Sequence, residues 1–258
     1  MWDSFISIMI NILLYIYGFV GQNFGFAIIL FTILIRLILF PLSSQQVKQS
    51  KAMQDMQKSK KWKDIQEKFK DDKETLSKKQ MELYKEMGVN PLGSCLPTLV
   101  QFPIIIGLYQ AIIRALAVSP LQLLNLSHHI SDGANLIPIN NYFLWLDLSI
   151  PEKDFGLSIA GFGVPILAVI VVITSYLQTK LMSTPTSGGS DQSAQMGKAM
   201  GLYMPIFMGW LAYSFSSGLA LYFVVSNLST MLQYALMGQL DWRSLLPGKT
   251  NTWIGGKK

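Results

Sequence analysis

Residues 25–43 read GFAIILFTILIRLILFPLS. Within 24–42 only Thr32 and Arg36 are notably polar, and Pro41 closes the run. A helix needs roughly 20 mostly apolar residues to cross a hydrocarbon core of about 30 Å. The run therefore predicts a transmembrane helix. Four more runs of the same kind follow, at 96–117, 157–181, 199–215 and 218–238. None alternates with the period of two that marks a membrane β-barrel strand. The expected fold is an all-α integral membrane protein with five transmembrane helices.

Composition agrees. Half of the 258 residues are apolar and 14% are charged, against about 25% charged in an ordinary soluble domain. The single Cys95 excludes an internal disulfide and reads as a small core residue at the mouth of a span. The net charge of +6 does not suggest a nucleic-acid binder, because most of the basic residues lie in one block interleaved with acids. No nucleic-acid site is expected.

That block is the segment 44–90, which holds 12 Lys and 8 acidic residues. Val47, Met53, Met56, Ile65 and Phe69 fall near helical spacing, as do Leu76, Leu83 and Met87. Asp71-Asp72 marks a turn, Asp71 with Glu74 fits a capping box, and Gly88 followed by Pro91 fits a helix stop. The segment predicts a helical hairpin outside the bilayer. Residues 1–20 carry Trp2, Phe5, Tyr15 and Tyr17 and predict an N-terminal interfacial helix, with a sixth span as the alternative. Residues 118–156 form an extracytoplasmic connection, 182–198 a flexible cytoplasmic loop, and 239–258 a basic cytoplasmic tail.

Lys and Arg concentrate on the cytoplasmic side of membrane proteins. With the hairpin placed there, the hairpin, the 182–198 loop with Lys180 at its edge, and the tail hold 18 of the 21 basic residues. The outer segments hold only Lys153. The expected orientation has the amino terminus outside and the carboxyl terminus in the cytoplasm.

Arg36 is the residue most suggestive of function. An Arg at a helix centre costs about 2.5–3.5 kcal/mol on insertion scales and commonly faces a bundle interior or water. It lies about 9 Å from the cytoplasmic end at 1.5 Å per residue, so snorkelling to the headgroups is an equal alternative. Thr32 shares its helix face. Gln101, Gln178, Ser226, Asn227 and Gln233 add polar groups in three other spans. These serve either as helix-to-helix glue or as the lining of a wet groove. Met53, Met56, Met81 and Met87 fit an adaptable surface for varied apolar partners, or ordinary hairpin packing. His128-His129 lack metal-site spacing. No nucleotide fingerprint or nucleophile–base arrangement occurs, so neither cofactor nor enzymatic activity is expected. A small-anion channel or transporter using Arg36 as its binding charge is the competing class. Against it, the chain shows no repeated half.

Residues 25–43 resemble the first core span of the YidC/Oxa membrane insertases. LYKEMGVNPLGSCLPTLVQFPIIIGLY (83–109) resembles that family's entry into its second core span, and SGLALYFVVSNLSTMLQ (217–233) its last span. The resemblance implies five spans around a hydrophilic groove open to cytoplasm and lipid, with Arg36, Thr32 and Tyr222 in it. Phe223 departs from the Tyr or Trp often found at its position. The resemblance also implies insertion and folding of small membrane proteins in the plasma membrane. The implied partners are nascent membrane proteins and the bilayer, with the Sec translocase and the ribosome as further candidates.

The charge distribution yields a test of topology. Cysteine labelling in intact cells should reach position 55 only from the cytoplasm and position 132 only from outside. The opposite pattern overturns the orientation.

Overall fold

The computed structural model describes residues 2–69, 72–88, 96–116, 139–152, 157–159, 162–182 and 192–240. Helices dominate. In chain order they are α1 (Trp2–Phe19), α2 (Phe24–Ile38), α3 (Phe40–Lys58), α4 (Lys60–Lys68), α5 (Lys73–Glu86), α6 (Leu96–Ala115), α7 (Ile166–Met182), α8 (Gln192–Ser214) and α9 (Ser217–Leu236). Two short antiparallel ribbons interrupt them. One pairs β1 (Tyr142–Phe143) with β2 (Leu146–Asp147), the other β3 (Leu157–Ile159) with β4 (Phe162–Val164).

Among the described helices, α1 and α9 are long and apolar enough to cross a membrane. The pair α2–α3, bent by 65° at its break, makes a third span if counted as one. The apolar stretch of α7 is shorter. The 24–42 run does not end at its proline. Its helix breaks at Leu39, and Pro41 sits in the first turn of α3. Proline is accepted there because the first amides of a helix have no intrahelical acceptor. The polar hairpin is thus joined directly to the first core helix through a bend.

Three boundaries differ from those the sequence suggests. Residues 157–159 and 162–164 pair as a ribbon, so the expected 157–181 span begins as a helix only at Ile166. Gly156, Gly161, Gly163 and Pro165 disfavour helix there. Second, α8 starts at Gln192 and takes in the end of the segment expected as a loop; residues 183–191 of that segment lie outside the described ones. Third, the cap of α5 is Asp72, whose carboxylate accepts from the amides of Glu74 and Thr75, both at 3.1 Å. Asp71 lies outside the described residues. Bonds from the Thr75 hydroxyl and amide hold the Asp72 carboxyl below the usual carboxylate range.

The bundle core is one apolar cluster shared by α1, α2, α6, α7, α8, α9 and the loop before α7. Close approaches depend on missing side chains. A Cβ at Gly209 of α8 would lie 2.1 Å from Cγ2 of Val172 on α7. A Cβ at Gly107 of α6 would lie 2.6 Å from the Phe5 ring of α1. Small residues at helix crossings are the usual means of bringing helices together in lipid.

Both ends of α1 meet the same end of the bundle. Near its start, Asp3 pairs with Arg114 in the last turn of α6 at 3.2 Å. Near its finish, the Tyr17 hydroxyl accepts from the Asn140 amide at 2.9 Å, and the Tyr17 ring packs on Phe24, the first residue of α2.

That end of the bundle is closed by hydrogen bonds from the chain before α7. Gly218 N donates to Leu148 O at 3.1 Å, and Ser217 N to Ile150 O at 3.0 Å. The buried Glu152 carboxylate accepts from the amides of Leu167 and Ala168 at 2.8 and 3.0 Å, capping α7. The Phe143 ring lies against Gly25 and edge-on to Phe26.

Substituting Gly209 with Val should force α7 and α8 apart. Overpacking of this kind costs about 1–3 kcal/mol. The lower melting temperature should appear in purified detergent-solubilised protein, and an unchanged melting temperature would show that the contact is slack.

Candidate polar cavity

Arg36 lies in the last turn of α2, three residues before the bend. Its guanidinium turns inward and donates from Nη2 to the Ser226 hydroxyl of α9. Its partner is thus a side chain of another helix. One turn along α9, Tyr222 accepts a hydrogen bond from the Gln101 amide of α6. Asn227 donates to Thr174 and Ser175 of α7 at 3.1 and 2.9 Å. At the root of the hairpin, Gln233 and Ser43 are hydrogen-bonded, with the Gln233 amide donating at 2.8 Å.

All of these groups except Thr174 line one cavity of about 290 Å³. Seven of the eight polar residues singled out from the sequence line it: Arg36, Gln101, Gln178, Tyr222, Ser226, Asn227 and Gln233. Phe223 also lines it. The amide oxygen of Gln178 is buried there with no hydrogen-bond partner.

Thr32 does not join the cavity. It is fully buried, and its hydroxyl donates to its own helix at Ile28 O, 2.6 Å away. Thr32 and Arg36 share a face, but Thr32 sits one turn nearer the closed end, and its short side chain turns back to the backbone.

Sequence reasoning missed Ser43, Gln46, Ser175, Thr179 and Thr230, which also line the cavity. Ser175 and Thr179 follow Thr174 on α7 at helical spacing, a signal that could have marked the polar stripe. Gln46 was hidden because it belongs to the 44–90 segment that reads as extramembrane hairpin, and Ser43 because it falls between the 24–42 run and that segment.

The cavity occupies one half of the bundle. Its walls come from the end of α2, the root of α3, the first half of α6, the later turns of α7 and α9, and Met204, Pro205 and Met208 of α8. The opposite half contains the Gly218–Leu148 and Ser217–Ile150 bonds. The cavity therefore adjoins the charged hairpin and is separated from the β1–β2 end by packed core.

In the hairpin the four Met separate into two pairs. Met56 is fully buried with Trp62 and Leu83, and Met53 packs against that small core together with Ile65 and Tyr84. Neither forms an open surface, because each apolar side chain finds neighbours inside the hairpin. Met81 and Met87 are 48% and 47% exposed. Burial raises the Tyr84 hydroxyl above the usual tyrosine range. Among the described residues no group of His, Cys, Asp and Glu could hold a metal ion.

The fold and the site define a class: helical membrane proteins with a polar cavity, lined by an Arg, beside a charged helical hairpin. The model of the 60Kd inner membrane protein family matches residues 15–241, and the chain belongs to that family, the YidC/Oxa membrane protein insertases. It is 35% identical over 228 residues to the membrane protein insertase YidC of Oceanobacillus iheyensis, covering 86% of this chain and 77% of that one. It is 35% identical over 241 residues to the membrane protein insertase MisCA of Bacillus subtilis, covering 92% and 78%. The YidC of Fusobacterium nucleatum is 37% identical over 211 residues, covering 82% and 84%. A crystal structure of an active YidC insertase with its first transmembrane domain resolved superposes with a TM-score of 0.58 at 26% identity, covering 92% of this chain. The chain spans about half of that protein, 46%.

Met56 and Met81 provide a test of the hairpin assignment. Truncating a buried Met to Ala costs about 2–5 kcal/mol. Met56→Ala should therefore raise the protease sensitivity of residues 50–86, whereas Met81→Ala should leave it unchanged. Equal sensitivity in both variants would argue against a packed hairpin core.

Proposed function

We propose that the chain inserts small membrane proteins whose translocated tails are short and polar, using the Arg36 cavity as a half-way station. The observation that carries this reading is the convergence of Arg36 and six other polar side chains on one cavity at the hairpin end of an otherwise apolar bundle. Membership of the insertase family supports it.

In this reading the core consists of α2, α6, α7, α8 and α9 as five spans. Helix α1 lies along the outer interface, as expected of a helix whose two ends both contact the outer end of the bundle. The hairpin, the α7–α8 connection and the tail face the cytoplasm. The cavity is a groove open to cytoplasm and lipid and closed outside.

The physical task is to move a polar, often acidic, tail across a slab in which uncompensated charge is very costly. A polar recess reaching part-way in shortens the dry path. Arg36 offers a fixed positive charge with several donors, one of which is engaged by Ser226. An acidic tail pairs transiently with the rest. The apolar segment then leaves for lipid, and burial of its surface drives the step at about 25 cal/mol per Å² without nucleotide hydrolysis. Met81 and Met87 are the hairpin methionines exposed enough to meet an arriving apolar segment. The chain also acts as a chaperone for the inserted helix in this reading, with the Sec translocase and the ribosome as candidate partners.

The decisive experiment varies both sides of the pair. One small client is made with an acidic and with a neutral translocated tail, and its insertion is followed in cells carrying Arg36, Arg36→Lys or Arg36→Ala. A charge-assisted hydrogen bond contributes about 1.5–3 kcal/mol. Arg36→Ala should accordingly slow insertion of the acidic-tailed client by roughly ten- to a hundredfold, Arg36→Lys should retain most of it, and the neutral-tailed client should change little. Equal loss on both clients, or none in the Ala variant, rejects charge pairing.

A further inference from the structure

The β1–β2 ribbon has no part in the cavity, yet its turn is the most apolar exposed loop among the described residues. Tyr142, Leu144 and Trp145 are 56%, 73% and 46% exposed. A soluble loop rarely presents three large apolar side chains together, and an exposed apolar patch commonly marks a contact surface. The turn is held in shape. Leu144 adopts the left-handed conformation at φ 56°. Asp147 accepts hydrogen bonds from Asn141 and Ser149, and Tyr142 N donates to Asn140.

Its neighbour indicates what the turn touches. Between the exposed residues, Phe143 points inward and packs edge-on to Phe26 of α2, ring centroids 5.4 Å apart. Phe26 heads a stripe of exposed apolar residues, Phe26, Leu30, Ile33 and Leu37, at the i, i+4, i+7, i+11 spacing of one helix face. In a membrane-spanning bundle that stripe faces lipid chains. The turn stands at the head of the stripe, where hydrocarbon gives way to headgroups. Tyr and Trp, each with an apolar body and one polar tip, favour that layer.

We propose that Tyr142, Leu144 and Trp145 are a membrane-interface anchor, seated among lipid headgroups and upper acyl chains at the amino-terminal end of α2. The partner is the bilayer itself. The anchor fixes the ribbon whose continuation, Leu148 and Ile150, bonds the first turn of α9 and closes that end of the bundle. It does not depend on the Arg36 mechanism.

The test uses an environment-sensitive nitrobenzoxadiazole probe on the full chain in phosphatidylcholine vesicles, in a Cys95→Ser background. Leu144→Cys carries the probe, and Tyr142→Cys provides a second site should the first fold poorly. Phe26→Cys is the lipid-facing reference and Lys60→Cys, on the polar hairpin, the aqueous one. The expected result at 144 and 142 is blue-shifted emission. It should be accompanied by loss of intensity with lipids brominated near the glycerol end of their chains, and by protection from aqueous iodide close to that at 26. Emission and iodide access matching position 60 overturn the proposal. So does protection that disappears as the protein is diluted in lipid, which assigns the patch to a second copy of the chain.

Discussion

The organisation of the bundle follows from the constraint on Arg36. A guanidinium in an apolar layer needs either water or an uncharged hydrogen-bonding partner, and it has no acidic neighbour within the salt-bridge distances of the described residues. Its partner is the Ser226 hydroxyl. A hydroxyl compensates the charge only in part, unlike the full pairing a carboxylate would provide. The guanidinium is therefore held in place without being neutralised, which is what the proposed pairing with an acidic tail requires. An Asp or Glu at position 226 would satisfy the charge internally and compete with that pairing.

The remaining polar side chains divide by the same logic. Asn227 is engaged with Thr174 and Ser175 and ties α9 to α7. Gln101 with Tyr222 ties α6 to α9, and Gln233 with Ser43 ties α9 to the hairpin root. Each bond joins two different elements across the cavity wall. The glue and lining readings of these residues are therefore compatible: the same side chains hold the helices at a spacing that leaves the cavity and present polar atoms to it. Ordinary apolar packing alone would favour closing the space, since interiors pack to high density.

Much of this was legible in the chain. The apolar run holding Arg36 identifies a membrane helix and its costly charge, and three ordered segments carry the family resemblance. Seven of the eight polar residues chosen from the sequence meet at one cavity, because a polar side chain on an otherwise apolar helix is pressed to face its neighbours and not lipid. What was not legible depended on distance along the chain or on conformation. Thr32 has the right face but the wrong depth, and depth is set by which side chain is long enough to reach the cavity. Pro41 reads as a terminator, yet it opens a new helix, because proline suits a first turn as well as an end. Met53 and Met56 could not be separated from Met81 and Met87 by spacing, because the partners that bury Met56 are Trp62 and Leu83, which reach it only when α4 and α5 fold back.

The bend at Leu39 links the two halves of the molecule. Had α2 continued straight through Pro41, Ser43 and Gln46 would have travelled away from the bundle along the helix axis. With the chain turned by 65° they remain beside α9, where Ser43 meets Gln233 and both line the cavity. The hairpin is therefore a continuation of the cavity wall through α3, in addition to being a charged appendage. Its own core of Met56, Trp62 and Leu83 stiffens the end remote from the bend. The first turn of α3 has no side-chain cap from Leu39; the joint is held by the backbone bonds Leu39 N to Ile35 O and Ser43 N to Leu39 O, both 2.9 Å, and by the Ser43–Gln233 bond. A displacement of the hairpin is thereby coupled mechanically to the rim of the cavity at Ser43 and Gln233.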